Sequence, residues 1–92
     1  MSLYRKKPVV IEARQLTEDK DVAGELAVWC GAHQIHFTYR NSQPLPHIDI
    51  ATAEGTMTAD PGDWIIKGVK GEFYPCKPEI FGLTYEPLGE TR

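Results

Sequence analysis

The chain predicts an α+β domain: one helix packed on a strongly bent, mostly antiparallel sheet or small open barrel. Three features carry that expectation. Residues 18–30 repeat apolar side chains at helical spacing, and they are the only long stretch to do so. Six or seven other segments alternate apolar and polar residues, as short strands with one covered face do. The stretch Asp60 to Phe81 reads as a turn, a strand, a glycine-closed hairpin, a second strand and a proline-started helical turn, each with its own local chemistry.

Length allows one domain, residues 1–92, burying about 60 to 65% of the surface of the unfolded chain. Apolar residues are 41% of the sequence and charged residues 25%, ordinary globular usage that excludes disorder by composition. No period of 20 to 50 residues recurs, so a repeat architecture is excluded.

Pro8 to Leu16 sets Val9, Ile11 and Ala13 on one face against Val10, Glu12 and Arg14 on the other, which is strand spacing. Thr17 offers an N-cap hydroxyl, Glu18 and Asp19 put negative charge in a first turn, and Val22, Leu26, Trp29 and Cys30 recur on one helical face. Gly24 costs this helix about 1 kcal/mol relative to alanine, and Gly31 ends it. Ile35, Phe37 and Tyr39 give a second strand with one apolar face. Asn41 to Pro46, with two prolines, reads as a loop and a contact surface. Ile48 and Ile50 begin a third strand, broken near Glu54-Gly55, and Thr56 to Ala59 returns as a fourth.

Asp60-Pro61-Gly62-Asp63 is a turn in which proline presets φ and glycine takes positive φ. Trp64–Val69 and Glu72–Cys76 then pair. With Val69-Lys70 as the loop, Lys67 faces Glu72, Ile66 faces Phe73 and Ile65 faces Tyr74. Pro75 marks an edge or an end. Pro78 opens a helical turn, Glu79-Ile80-Phe81, closed by Gly82. Leu83 and Tyr85 form a last brief strand before the tail Pro87-Leu88-Gly89.

Few residues are placed for chemistry. His33 and His36 are three apart entering a strand and so point to opposite faces, which spoils a shared metal site; with His47 they read as surface histidines. Cys30 lies on the apolar side of the helix as a small hydrophobe, and Cys76 has no evident base beside it. A disulfide between them is not expected in a reducing compartment. Asp60 and Asp63 read as turn caps rather than an acid–base pair. The glycines at 62, 68 and 71 have hairpin spacing and no phosphate-loop ending. No cofactor or metal is called for.

A net charge of −3 weighs against nucleic acid and anionic membrane as partners. Arg5, Lys6 and Lys7 cluster near the start, and Glu18, Asp19, Asp21 and Glu25 in one segment; both read as solvated faces. Trp64, Lys67, Lys70, Tyr74 and Lys77 gather aromatic and basic groups around the hairpin and form the candidate interaction surface. Rings beside lysines also make the best case for single-stranded nucleic acid, the alternative reading. The absence of a spanning run or leader pattern predicts a protein that stays in the cytoplasm.

Two segments, Tyr4-Arg5-Lys6-Lys7-Pro8-Val9-Val10-Ile11-Glu12 and Pro61-Gly62-Asp63-Trp64-Ile65-Ile66 through Gly68-Val69-Lys70-Gly71-Glu72 to Tyr74-Pro75-Cys76-Lys77-Pro78, resemble a family of small bacteriophage- and prophage-encoded proteins. The resemblance, best over Tyr4 to Glu12 and Asp60 to Pro87, spans about 40% of the chain and brings no catalytic residues. It implies a phage accessory protein in the bacterial host's cytoplasm. The expectation is a non-enzymatic module that binds a host or phage protein, as a homodimer in one form; a small hydrolase built on Cys76 or the histidines is a further alternative.

Overall fold

The computed structural model describes residues 1–5 and 7–88. Lys6 of the basic start and Gly89 of the tail lie outside the described residues. The order is β1 (Glu12–Gln15), α1 (Lys20–Cys30), β2 (Gln34–Arg40), β3 (Gln43–Thr52), β4 (Gly55–Ala59), β5 (Trp64–Lys67), β6 (Phe73–Cys76) and α2 (Pro78–Thr84). This is an α+β fold. The bend expected of its sheet is realised as a division into two three-stranded antiparallel sheets, β1–β5–β6 and β2–β3–β4.

β1 is shorter than the alternation from Pro8 suggests. Its partner β5 begins at Trp64, opposite Gln15, and ends at Lys67, opposite Glu12, so residues before Glu12 have no ladder to join and Val9 and Val10 are exposed. Helix α1 starts two residues later than expected. Asp19, not Thr17, is the N-cap: its Oδ1 accepts from Asp21 N at 2.7 Å and Val22 N at 3.3 Å, while Thr17 Oγ1 accepts from Asp19 N and shapes the approach. Gly31 closes the helix at φ 61, where a side chain would be strained.

The expected loop at Asn41 to Pro46 is instead a tight hairpin. Asn41 and Ser42 take positive φ, 51 and 65, as a two-residue turn between paired strands requires, and β3 starts at Gln43. Pro44 and Pro46 sit inside that strand, opposite Tyr39 and Phe37. They are tolerated because the pair flanking such a turn, Arg40 and Gln43, exchanges both backbone bonds. Alternation then turns the nitrogens of Pro44 and Pro46 away from β2, on a side that β4 reaches only from Ile48 onward. Thr52 and Gly55 close the β3–β4 hairpin, where the break was expected.

Pro61 and Gly62, at φ 98, make the turn into β5 as expected. The β5–β6 register is shifted by one residue from the expected one: Lys67 faces Phe73, Ile66 faces Tyr74 and Ile65 faces Pro75. A two-residue loop would have required positive φ at β-branched Val69. A three-residue loop puts that conformation on Gly71, at φ 85, and the Gly68 N–H donates to Glu72 O at 2.7 Å. Glu72 consequently binds the Lys70 amide at 2.9 Å instead of facing Lys67. Helix α2 runs through Gly82 to Thr84, and no strand forms at Leu83 to Tyr85. Phe81 stacks on Trp64 at 4.2 Å and meets the ring of Tyr85 at 5.1 Å, contacts that offset the roughly 1 kcal/mol cost of a helical glycine.

The core forms where α1 packs between the sheets. Leu16, Ala23, Leu26, Cys30, Ile48, Ile50, Ala59 and Ile65 are buried together, with Trp29 meeting Phe73 edge-on at 5.0 Å. Each fully buried Leu or Ile contributes about 1.5 to 3 kcal/mol. Ile66 alternates to the opposite face of β5 from Ile65 and is buried beside Trp64 and Tyr74, the side that α2 covers. Asp19→Ala should lower stability by about 1 kcal/mol in urea unfolding, with Thr17→Ala lowering it less; equal losses would return the cap to Thr17.

Candidate functional site

The register of β2–β3–β4 gathers polar side chains on the face of that sheet turned away from α1. Gln34, Asp49 and Thr58 form one row; His36 and His47 form the next, and Asp60 follows directly from Ala59 at the end of β4. Asp49 is buried yet fully engaged. Its Oδ1 accepts from the Thr58 hydroxyl at 2.7 Å, and its Oδ2 accepts from Gln34 Nε2 at 2.9 Å and meets His36 Nδ1 at 3.2 Å. The Thr58 bond, helped by Gln34 and His36 and opposed by desolvation, holds the Asp49 carboxyl below its ordinary value of 3.8.

The imidazoles of His36 and His47 stack at 5.1 Å with planes 14° apart. His47 Nδ1 lies 2.7 Å from Asp60 Oδ1, and its Nε2 lies 2.8 Å from Thr38 Oγ1. An ionised carboxylate only accepts, so a neutral ring carries its proton on Nδ1, donates to Asp60 and accepts from the Thr38 hydroxyl. Desolvation pushes the Asp60 carboxyl up, but the bonds from His47 and Lys77 outweigh it and leave it lowered.

Lys77, just beyond β6, completes the network. Its Nζ donates to Asp63 Oδ2 at 3.0 Å and to Asp60 Oδ2 at 3.3 Å, and Asp63 Oδ2 also accepts the Asp60 amide at 2.8 Å. The bond to Asp63, only partly opposed by desolvation, raises the ammonium above 10.5. Asp63 therefore caps its turn as expected, whereas the Asp60 carboxylate bonds no turn amide and instead ties the two sheets together through His47 and Lys77.

In line, Thr38, His47 and Asp60 have the order of a nucleophile, a base and an orienting acid. The hairpin parity makes Thr38 and Leu45 a hydrogen-bonded pair, so the Thr38 amide is committed to the ladder and is not directed at a developing oxyanion. Cys76 is no better placed. Desolvation, with Asp63 and Glu79 nearby, raises its thiol pKa, and the thiol donates to Lys77 O. Among the described residues no group of three or more His, Cys, Asp and Glu side chains is gathered as a metal would need.

The residues singled out around the hairpin separate into two sets. Trp64 lies under Phe81, and the Tyr74 hydroxyl is pushed up to about 12 by desolvation and its bond with Tyr85. Lys77 is committed to Asp60 and Asp63, whereas Lys67 and Lys70 project into solvent. Stacked ring faces and a neutralised lysine leave little for a nucleic-acid strand. A groove of about 500 Å³ opens between the β3–β4 turn and β6, lined by Ala51, Met57, Phe73, Tyr74 and Pro75 with Glu54 and Glu72. His33 stays apart from the histidine pair and gives its amide to Asp49 O at 2.8 Å.

The histidine–carboxylate network escapes sequence reasoning because His47 follows two prolines taken to be in a loop. Asn41-Ser42 at the centre of a two-residue turn is the signal that would have paired His47 with His36. No family model, curated protein or solved structure matches the chain.

Acid stability follows from this network. Both Asp49 and Asp60 are lowered in the folded state, so on acidification the unfolded chain takes up protons first. The stability they provide is present above the ordinary carboxyl range and is lost as pH falls through their folded values. Urea midpoints measured from neutral pH down through the carboxyl range should drop in the wild type and drop less steeply in Asp49→Asn, which starts lower; parallel curves would remove Asp49 from the account.

Proposed function

We propose that the protein is a non-enzymatic interaction module that binds an extended segment of another protein along the free edge of β2. One observation carries this reading. Among the described residues β2 is an outer strand of seven residues with no partner on one side, and it presents Phe37, 43% exposed, and Tyr39, 70% exposed. By the hairpin parity, Ile35, Phe37 and Tyr39 direct their N–H and C=O groups outward. A peptide adding to this edge gains main-chain bonds from those residues and covers the two rings, the usual chemistry of strand addition.

The partner is a host or phage protein and the setting the bacterial cytoplasm, in keeping with the resemblance to small phage-encoded proteins. Among the described residues no helix is long and apolar enough to cross a membrane. The Lys67 and Lys70 side of the β5–β6 hairpin, in the other sheet, is a separate exposed basic surface for such a partner.

A small hydrolase is the second reading, favoured by the Thr38–His47–Asp60 geometry. A chromogenic ester separates the two: turnover that Thr38→Val abolishes would support the hydrolase, and turnover unchanged by that substitution would end it. For the module, nuclease-treated bacterial lysate should yield a stoichiometric protein bound to the wild type. Phe37→Pro removes an outward amide and one ring while leaving the β2–β3 ladder intact. Binding should fall at least tenfold with a near-native melting curve; full retention would move the interface elsewhere.

A further inference from the structure

Among the described residues β1 is an outer strand too, and its unpaired edge is a template for another strand. Its outward groups follow from the ladder. The Leu16 N–H donates to Asp63 O and Leu16 O accepts from Gly62 N, both on the β5 side. Alternation then commits Arg14 and Glu12 to β5 and turns the N–H and C=O groups of Ala13, Gln15 and the preceding Ile11 outward. No proline stands at any of these three positions. By contrast β6, the other edge of this sheet, turns Pro75 outward, because Gly68 pairs with Glu72 and parity places Pro75 on the free side.

We propose that the β1 edge pairs with the same edge of a second copy, antiparallel about a two-fold axis at Ala13, joining two three-stranded sheets into one of six strands. Charge selects both the partner and the register. An axis at Glu12 would set Glu12 against Glu12, and one at Arg14 would set Arg14 against Arg14. An axis at Ala13 sets Glu12 of each copy against Arg14 of the other, in the closely spaced non-hydrogen-bonded position. Arg14 is already held on that face, 3.0 Å from Glu12 and 4.5 Å over the Trp29 ring, so its charge is in place before a second copy arrives. The interface is self-complementary, as a two-fold dimer demands.

The same register lays Val10 beside Leu16 of the second copy and Val9 beside its Thr17. Both valines are exposed in the single chain, Val10 at 76%, because the β5 ladder ends at Glu12; the buried Leu16 of the second copy would meet Val10 through its backbone. The proposal concerns a different edge from β2 and stands whether or not β2 binds another protein.

Sedimentation equilibrium tests it on the full chain. The wild type should show dimer mass. Ala13→Pro, which loses the outward amide at the axis, should halve that mass, with circular dichroism checking its fold. Glu12→Arg and Arg14→Glu should each be monomeric alone, because each sets like charges face to face. Their equimolar mixture should recover dimer mass, since every facing pair is then opposite in charge. Repair of the Glu12–Arg14 contact within one chain cannot produce that recovery. A monomeric wild type, a dimer indifferent to Ala13→Pro, or a mixture that stays monomeric would each overturn the proposal.

Discussion

The carboxylate of Asp63 holds the two sheets together. It is 3% exposed, on the last turn residue before β5, and its Oδ2 accepts the Asp60 amide and the Lys77 ammonium. Its backbone oxygen takes the Leu16 amide. One residue thus connects the end of β4, the start of β5, the exit of β6 and the end of β1. A buried carboxylate without such partners would cost several kcal/mol; with them it fixes the angle at which the sheets meet, and α1 fills the space that angle leaves. Through Asp60 the same network extends to His47 and Thr38, so the outer face of the β2–β3–β4 sheet inherits its geometry from the turn.

Much of this was legible in the chain, wherever a local requirement decides the outcome. Gly31, Pro61-Gly62 and the alternation of Ile48 and Ile50 each admit few conformations, and the structure follows them. Misreadings arise where two local rules compete. Charge matching favoured Lys67 against Glu72, but an exposed ion pair is worth at most about 1 kcal/mol. Positive φ at Val69 costs more than that, so the loop takes a third residue and the register moves. At Asn41 the prolines hid a hairpin, because a proline is harmless on a strand when its nitrogen faces no partner. The site was illegible for the same reason: a histidine row exists only once the register across that hairpin is known.

The fold leaves more apolar surface uncovered than its core requires. Val9, Val10, Phe37 and Tyr39 are exposed while a domain of this size has little apolar area to spare. All four lie on or shortly before strands whose other side is unpaired among the described residues. Val9 and Val10 lead into β1, and the aromatic side chains line β2, so exposure and free backbone groups coincide at two edges.

That coincidence differs from the way this chain treats its other unpaired backbone. Pro75 blunts β6, and Pro44 and Pro46 blunt the part of β3 that β4 does not reach. A proline at such a place removes a donor that would invite pairing and costs the existing ladder nothing. β1 and β2 carry no proline at an outward position, although Ile11, Ala13, Ile35 or Phe37 could each be replaced by one on the same parity argument. Protection is therefore selective within a single small domain. Edges that are blunted need no partner; among those without a proline, the outer β4 turns only Thr56 and Thr58 outward, whereas β1 has self-complementary charges and β2 exposed rings, so those two are where the molecule's contacts with other chains are to be sought.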